Sequence, residues 1–343
     1  MEQPGGLLAR PPEEGVRRLA LSFLDQAAAA APRLDDPADE AALHDFRVAL
    51  RRLRSCLRAY AETLGDAVPK KLAKRLKKLA DSTGPGRDAE VQIEWLRGRH
   101  LALSHRAGLA WLLARLEEEK RDAYDRLRRK VADGFPGLEQ DLRRHLSVYR
   151  TEVHLEADAH PPTLGEATAA ILRGQLAELA DHLAAVNGPG DAAQAHRARI
   201  SAKRLRYLLE PLVADLPDAT PATSAEVRVK RLKGLQDLLG ELHDAHVLED
   251  ELADFAEEAA AERVRRLFAV ALGGLDGDPD PARLRAERRR APENGILALA
   301  RQNRERRDRL FAEVDADWLD GRVDGFLAGI AELAREMEGA DVP

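Results

Sequence analysis

The chain has 343 residues, which is enough for one large domain or two modest ones with real cores. Only 4% of residues are aromatic and 33% are charged, so the core must be mostly Leu, Ala and Val, on helices with solvated outer faces. A formal net charge of -6 argues against a generally basic nucleic-acid or membrane-surface binder, and a single cysteine, Cys56, excludes an intrachain disulfide and a cysteine-based zinc cluster.

The first residues, MEQPGGLLARPPEEG, lack the basic and apolar regions of a signal peptide. The longest apolar stretch, around Gln26 to Ala31, is bounded by Asp25 and Arg33 and is too short to span a bilayer. A cytoplasmic protein is expected. Strand-type alternation is nearly absent, and apolar residues recur at three and four. This predicts helices over roughly 14–32, 38–62, 67–82, 88–133 with a break near Arg97–His105, 136–150, 164–187, 191–214, 223–240, 244–273, 293–317 and 321–338. Breaks fall at Pro/Gly/Asp clusters such as Asn187-Gly188-Pro189-Gly190 and Gly274 to Pro281. The Pro161-Pro162 segment reads as the main connector.

The sequence repeats itself. His44-Asp45-Phe46-Arg47-Val48-Ala49-Leu50-Arg51-Arg52-Leu53-Arg54 matches His196-Arg197-Ala198-Arg199-Ile200-Ser201-Ala202-Lys203-Arg204-Leu205-Arg206, giving H-x-x-R-[VI]-x-x-[RK]-R-L-R. A second pair follows in the same order: Lys74-Arg75-Leu76-Lys77 matches Lys230-Arg231-Leu232-Lys233, and Gly84 to Ala89 matches Gly240 to Ala245. A weaker third match sets Leu113-Ala114-Arg115 against Leu299-Ala300-Arg301. Copy one is assigned to 12–150, the connector to 151–164 and copy two to 165–338, within a single domain of 12–338.

On a helix turning about 100° per residue, Arg47, Arg51, Arg54 and Arg58 fall on the side of His44, and Phe46, Leu50, Leu53, Leu57 and Tyr60 fall opposite. The apolar face is expected to pack inside its own bundle and the basic face to point away. His196, Arg199, Lys203 and Arg206 share a face in copy two. Lys70, Lys74 and Lys77, with Lys78 beside them, and likewise Lys230 and Lys233, form basic faces, and Lys70, Lys74, Lys77, Lys230 and Lys233 stand opposite leucines. Two adjacent helices per copy, both basic outside, would make a groove.

A single basic stripe is ordinarily a solvated face. Here residues 44–78 hold eleven Lys/Arg against three Asp/Glu, so the stripe should repel itself without a counter-anion. Val48 and Ile200 flank the stripes, which suggests partial cover. Eight of only ten lysines lie in or beside the repeated motifs, although the chain has forty-four arginines. Arg forks and mobile Lys charges together suit a flexible chain of phosphates better than one rigid headgroup. A lone helix-start histidine is ordinarily structural. Paired beside arginines, His44 and His196 are expected to donate to phosphate or orient a neighbour, with the cations favouring neutral imidazole and a bound phosphate pulling the other way.

At these residues the sequence resembles the CHAD family, the conserved histidine α-helical domain, from about Gly15 to about Glu336. The H-x-x-R-V-x-x-R-R-L-R motif, its repeat, and the L-G-x-x-H-D-A-x-V-L run from Leu239 to Leu248 carry the resemblance. It implies an all-α fold of two bundles related by pseudo-twofold symmetry, with a basic groove or cavity where they meet. It also implies binding of inorganic polyphosphate and association with polyphosphate granules. The ligand residues it suggests are His44, Arg47, Arg51, Arg54, Lys74, Lys77, His196, Arg199, Lys203, Arg206, Lys230 and Lys233, with Arg52, Arg204 and His243 from the same motifs. No E-x-E-x-K signature of a triphosphate-tunnel domain is present. Copy one departs from the pattern at Thr83-Gly84-Pro85-Gly86, where a Leu-Gly helix end is usual.

Non-catalytic binding is the expectation, with no cofactor, no membrane partner and no specific nucleic acid, since exposed aromatics for base stacking are scarce. The rival is a phosphoanhydride-hydrolysing or metal-dependent enzyme. It would need carboxylates holding a divalent cation, and Asp88 and Asp244 each stand alone in their copy. His243 and His246, near Glu241 and Asp244, make a weak metal pair without a counterpart in copy one.

Overall fold

The computed structural model describes residues 6–36, 39, 41–148, 162–216, 224–272 and 281–338. All regular elements among them are helical: α1 (Pro12–Ala30), α2 (Ala41–Ala59), α3 (Ala61–Leu64), α4 (Lys70–Asp81), α5 (Gly84–Arg97), α6 (Arg106–Leu146), α7 (Leu164–Ala184), α8 (Ala192–Leu209), α9 (Ala225–Ala271), α10 (Pro281–Arg289), α11 (Pro292–Trp318) and α12 (Asp324–Glu338). The expected connector lies outside the described residues up to 161, and Leu164 already opens α7.

Two expected breaks are absent. Helix α6 runs through Pro136, although proline removes a backbone donor and costs a helix interior about 3 kcal/mol. An unbroken buried stripe outweighs that: Val131, Phe135, Leu138, Leu142 and Leu146 are all buried at helical spacing. Helix α9 likewise continues through Gly240, where glycine costs only about 1 kcal/mol, and Leu232, Leu235, Leu239, Leu242 and Leu248 hold the helix down. A break does occur in the corresponding part of copy one, where α4 ends at Asp81 and α5 restarts at Gly84 with Pro85 in its first turn. Helix α10 was not expected. It buries no residue, so no apolar period marks it in the sequence.

The chain forms two compact units, and each draws on both halves of the sequence. The first comprises Met1–Gly84, Arg126–Gly240 and Val314–Pro343, and the second Pro85–Asp125 and Glu241–Glu313. In the first unit α1 packs on α2, α7 packs on α8 and α12, and α2 meets α8. Phe46, Leu50 and Leu53 are fully buried on the inner face of α2, with Phe46 edge-on to Phe135 at 5.2 Å. Thr163 and Glu166 form a capping box at the start of α7. The buried Tyr60 hydroxyl lies 2.7 Å from Thr168 Oγ1, which ties the end of α2 to α7.

The core of the second unit joins Ile93 and Leu96 of α5, Leu112 and Leu116 of α6, Leu248, Leu252 and Phe255 of α9, and Ile296 and Leu299 of α11. Helices α6 and α11 approach closely at Gly108 and Gly295. A Cβ on Gly295 would sit 2.2 Å from the His105 carbonyl oxygen and 2.8 Å from the Gly108 Cα, so only glycine fits. No described helix is long and apolar enough to cross a membrane.

Candidate anion-binding site

Helix α2 carries Arg47, Arg51 and Arg54 on successive turns, because the H-x-x-R-V-x-x-R-R-L-R spacing follows the helical period while the leucines between them anchor the opposite face. Helix α8 does the same with His196, Arg199, Lys203 and Arg206. The basic faces do not simply point away, as the periodicity predicts. Arg47, Arg51, Arg54, Arg199, Lys203 and Arg206 gather where α2 and α8 pack together, and these six and His196 are half-buried.

Tyr207, buried on α8, marks the centre. The guanidinium of Arg206 lies 4.7 Å from its ring centroid, and Arg51 and Lys203 each lie 5.9 Å from it. A ring face of this kind attracts cations and helps hold three of them together. Arg47 donates to the carbonyls of Thr83 and Gly84 at 3.3 and 3.4 Å, just past the end of α4. The equivalent Arg199 lies against Gly240, its Nε 3.7 Å from where a Cβ would stand. In both copies, then, the first motif's arginine meets the glycine of the second motif.

The electrostatics follow from crowding. Burial, then the charges of Arg51, Arg199, Arg47 and Arg54, push the Lys203 ammonium down to about 6. Burial also lowers Arg51, with Tyr207 opposing and Arg47, Arg199 and Arg206 adding to the effect. Burial, then Arg199 and Lys203, lower the His196 imidazole, in line with the neutral form expected from the sequence.

The expectation that the stripe lacks internal counter-charge needs correction. Carboxylates reach several of the cations, some from the next turn of the same helix and some from distant parts of the sequence. Arg52 pairs with Glu210 at 2.9 Å, Arg54 with Asp81 at 2.8 Å, Arg204 with Glu178 at 3.1 Å, Arg206 with Glu210 at 3.1 Å and Lys233 with Asp237 at 3.2 Å. Arg206 also donates to Gln236 at 2.8 Å. The long-range pairs, those of Arg52, Arg54 and Arg204, leave no trace in a local count of charges.

The remaining predicted residues divide by exposure. His44, Arg58, Lys70, Lys74, Lys77, Lys78, Lys230 and Lys233 are exposed, and the leucines opposite the lysines, Leu72, Leu76, Leu79, Leu232 and Leu235, are buried. His243 falls in the second unit, on α9, apart from the assignment of every other predicted residue to the first. Tyr207 and Glu210 went unrecognised in the sequence. Tyr207 sits four residues after Lys203 and Glu210 four after Arg206, so helical spacing could have flagged both. Among the described residues no three His, Cys, Asp or Glu side chains gather as a metal site would require.

Two solved structures share this fold. The CHAD domain from the plant Ricinus communis superposes with a TM-score of 0.59 at 22% identity, covering 81% of this chain and 91% of that one. PptA from Streptomyces chartreusis superposes with a TM-score of 0.53 at 15% identity, covering 87% of this chain and 99% of that one. No curated protein matches the sequence. The family described as CHAD domain matches residues 18–253, a span that contains both copies of the histidine motif and the whole α2–α8 cluster, and the chain belongs to that family.

Proposed function

We propose that this protein binds inorganic polyphosphate, without cleaving it, through the basic cluster of α2 and α8 and the exposed lysines of α4 and α9. The observation that carries this reading is the convergence of Arg47, Arg51, Arg54, Arg199, Lys203 and Arg206 from two helices in a protein of net charge -6. Concentrating cations costs folding free energy, and a bound polyanion repays it. Guanidinium forks and amines satisfy phosphate oxygens, and a run of lysines on the neighbouring helices lets a long chain continue past the first contacts. Phosphoryl transfer would ask in addition for carboxylates that hold a divalent cation beside the cluster. The carboxylates nearest these cations, Glu210 and Asp81, are already ion-paired with arginines. The reading carries with it a cytoplasmic location on polyphosphate granules.

The test is a calorimetric titration with long-chain polyphosphate, pyrophosphate, ATP and duplex DNA, run beside an assay for released phosphate. Tight binding of long chains alone, with no phosphate released, is the expected result. Equal affinity for all four ligands, or steady phosphate release, would overturn it.

A further inference from the structure

The two motif helices differ at one charged position that matters. Where copy one has Arg51, copy two has Lys203. An arginine cannot shed its proton in a protein, whereas a lysine can when it is desolvated among like charges. Lys203 stands in that situation. Helix α2 presents Arg47, Arg51 and Arg54 toward it, and α8 presents His196, Arg199, Arg206 and the Tyr207 ring. From the turn after α8, the Glu210 carboxylate is taken up by Arg52 and Arg206. From α9, Gln236 accepts from Arg206, and Asp237 pairs with Lys233. From α7, Glu178 pairs with Arg204, and His182 bonds Ser201. No described carboxylate forms an ion pair with Lys203.

We propose that binding of a phosphate chain to this cluster is coupled to uptake of one proton by Lys203, so that affinity falls as pH rises. The inference rests on the reading of the cluster as a polyphosphate site. Without ligand the five surrounding guanidiniums keep their charges, and the amine is the one cation able to give its charge up. When phosphates sit among those guanidiniums, the repulsion is cancelled and replaced by attraction. The amine then takes a proton and becomes a further donor to the ligand. Linkage fixes the sign. The bound state holds one more proton than the free state between their two titration points, so the association constant drops about tenfold per pH unit across that window. Below about 6 the free lysine is already protonated and the dependence on Lys203 disappears.

Proton uptake separates this from a merely structural lysine. Long-chain polyphosphate, which carries few titrating end groups, is titrated calorimetrically at about pH 8 in buffers of differing ionisation enthalpy. Wild type is expected to take up about one proton per bound site. Lys203→Arg, which keeps the charge, and Lys203→Met, which removes it, should both bind with no uptake and a nearly flat pH profile. Binding with no proton uptake by the wild type, or with equal uptake by Lys203→Met, overturns the coupling alone. Failure of polyphosphate to bind at all overturns the functional reading and the coupling with it. If neither variant folds, competitive acylation of the unliganded wild type decides the matter by mass spectrometry. Lys203 should react as a free amine near pH 7, and reactivity that appears only near pH 10 overturns the proposal.

Discussion

Arg52 and Glu210 form a salt bridge of 2.9 Å across 158 positions of sequence. The same carboxylate accepts from Arg206 at 3.1 Å. One acidic residue thus holds a guanidinium from each copy of the motif and acts as the internal counter-ion of the cluster. Glu210→Gln should destabilise the fold by about 1 kcal/mol, since the pairs are half-buried and lose charge but keep one acceptor oxygen. The same change frees two guanidiniums for phosphate. Affinity for long polyphosphate should rise several-fold, and the melting temperature gained on adding polyphosphate should exceed that of the wild type. A fall in affinity would mean that Glu210 orients the arginines and does not compete with the ligand.

The exposed lysines should act by a different route. Lys74, Lys77, Lys230 and Lys233 are exposed, so their part in binding should be counter-ion release, without specific geometry. The logarithm of affinity for long polyphosphate should fall steeply with the logarithm of salt. Replacing Lys74 and Lys77 together by Gln should make that slope shallower by roughly one to two units, with little change in melting temperature. An unchanged slope would take α4 out of the binding surface.

Much of this site was legible in the sequence because helical period alone decides which residues share a face. The separation of Phe46, Leu50 and Leu53 from Arg47, Arg51 and Arg54 follows from spacing, and burial of the former agrees with it. The half-burial of Val48 and Ile200 agrees with the partial cover inferred for the stripe. Other features depend on tertiary context. Asp81 and Glu178 reach their arginines, and Glu210 reaches Arg52, through packing, which a local count of charges does not register. Pro136 and Gly240 look like helix ends locally, yet buried stripes on α6 and α9 override them. The short α10 lacks any buried face, so periodicity gave it no signal.

The glycine contact between α6 and α11 offers a test confined to the second unit. Gly295→Ala would drive a Cβ to 2.2 Å from the His105 carbonyl oxygen, and Gly108→Ala would do the same to the Pro292 carbonyl oxygen at 2.2 Å. Backbone cannot yield as a flexible side chain can, so each substitution should cost on the order of 2–4 kcal/mol and lower the melting temperature by several degrees. Polyphosphate affinity measured well below that temperature should hold, because the α2–α8 cluster belongs to the first unit. A parallel loss of affinity would give the second unit, and His243 within it, a part in binding.

The two copies should act as one site. Arg51 from α2 and Lys203 and Arg206 from α8 share the Tyr207 ring, so a single phosphate chain lying there meets cations of both helices. Contacts made by one helix then raise the effective concentration of the chain at the other. Replacing Arg47, Arg51 and Arg54 by Gln should weaken binding of long polyphosphate by tenfold or more, and replacing Arg199, Lys203 and Arg206 by Gln should do likewise. The stability costs differ in origin. The α2 variant loses the contacts of Arg47 with Thr83 and Gly84 and the pair of Arg54 with Asp81, while the α8 variant loses the contacts of Arg206 with Gln236 and Glu210. Relief of repulsion among the clustered arginines offsets part of each cost, and Gln keeps the helices intact, which circular dichroism can check. Pyrophosphate spans few of these groups and should lose less affinity in either variant than long chains do. If each triple variant instead halves the binding stoichiometry and leaves the affinity of the remaining half unchanged, α2 and α8 are independent sites and the single cluster is wrong.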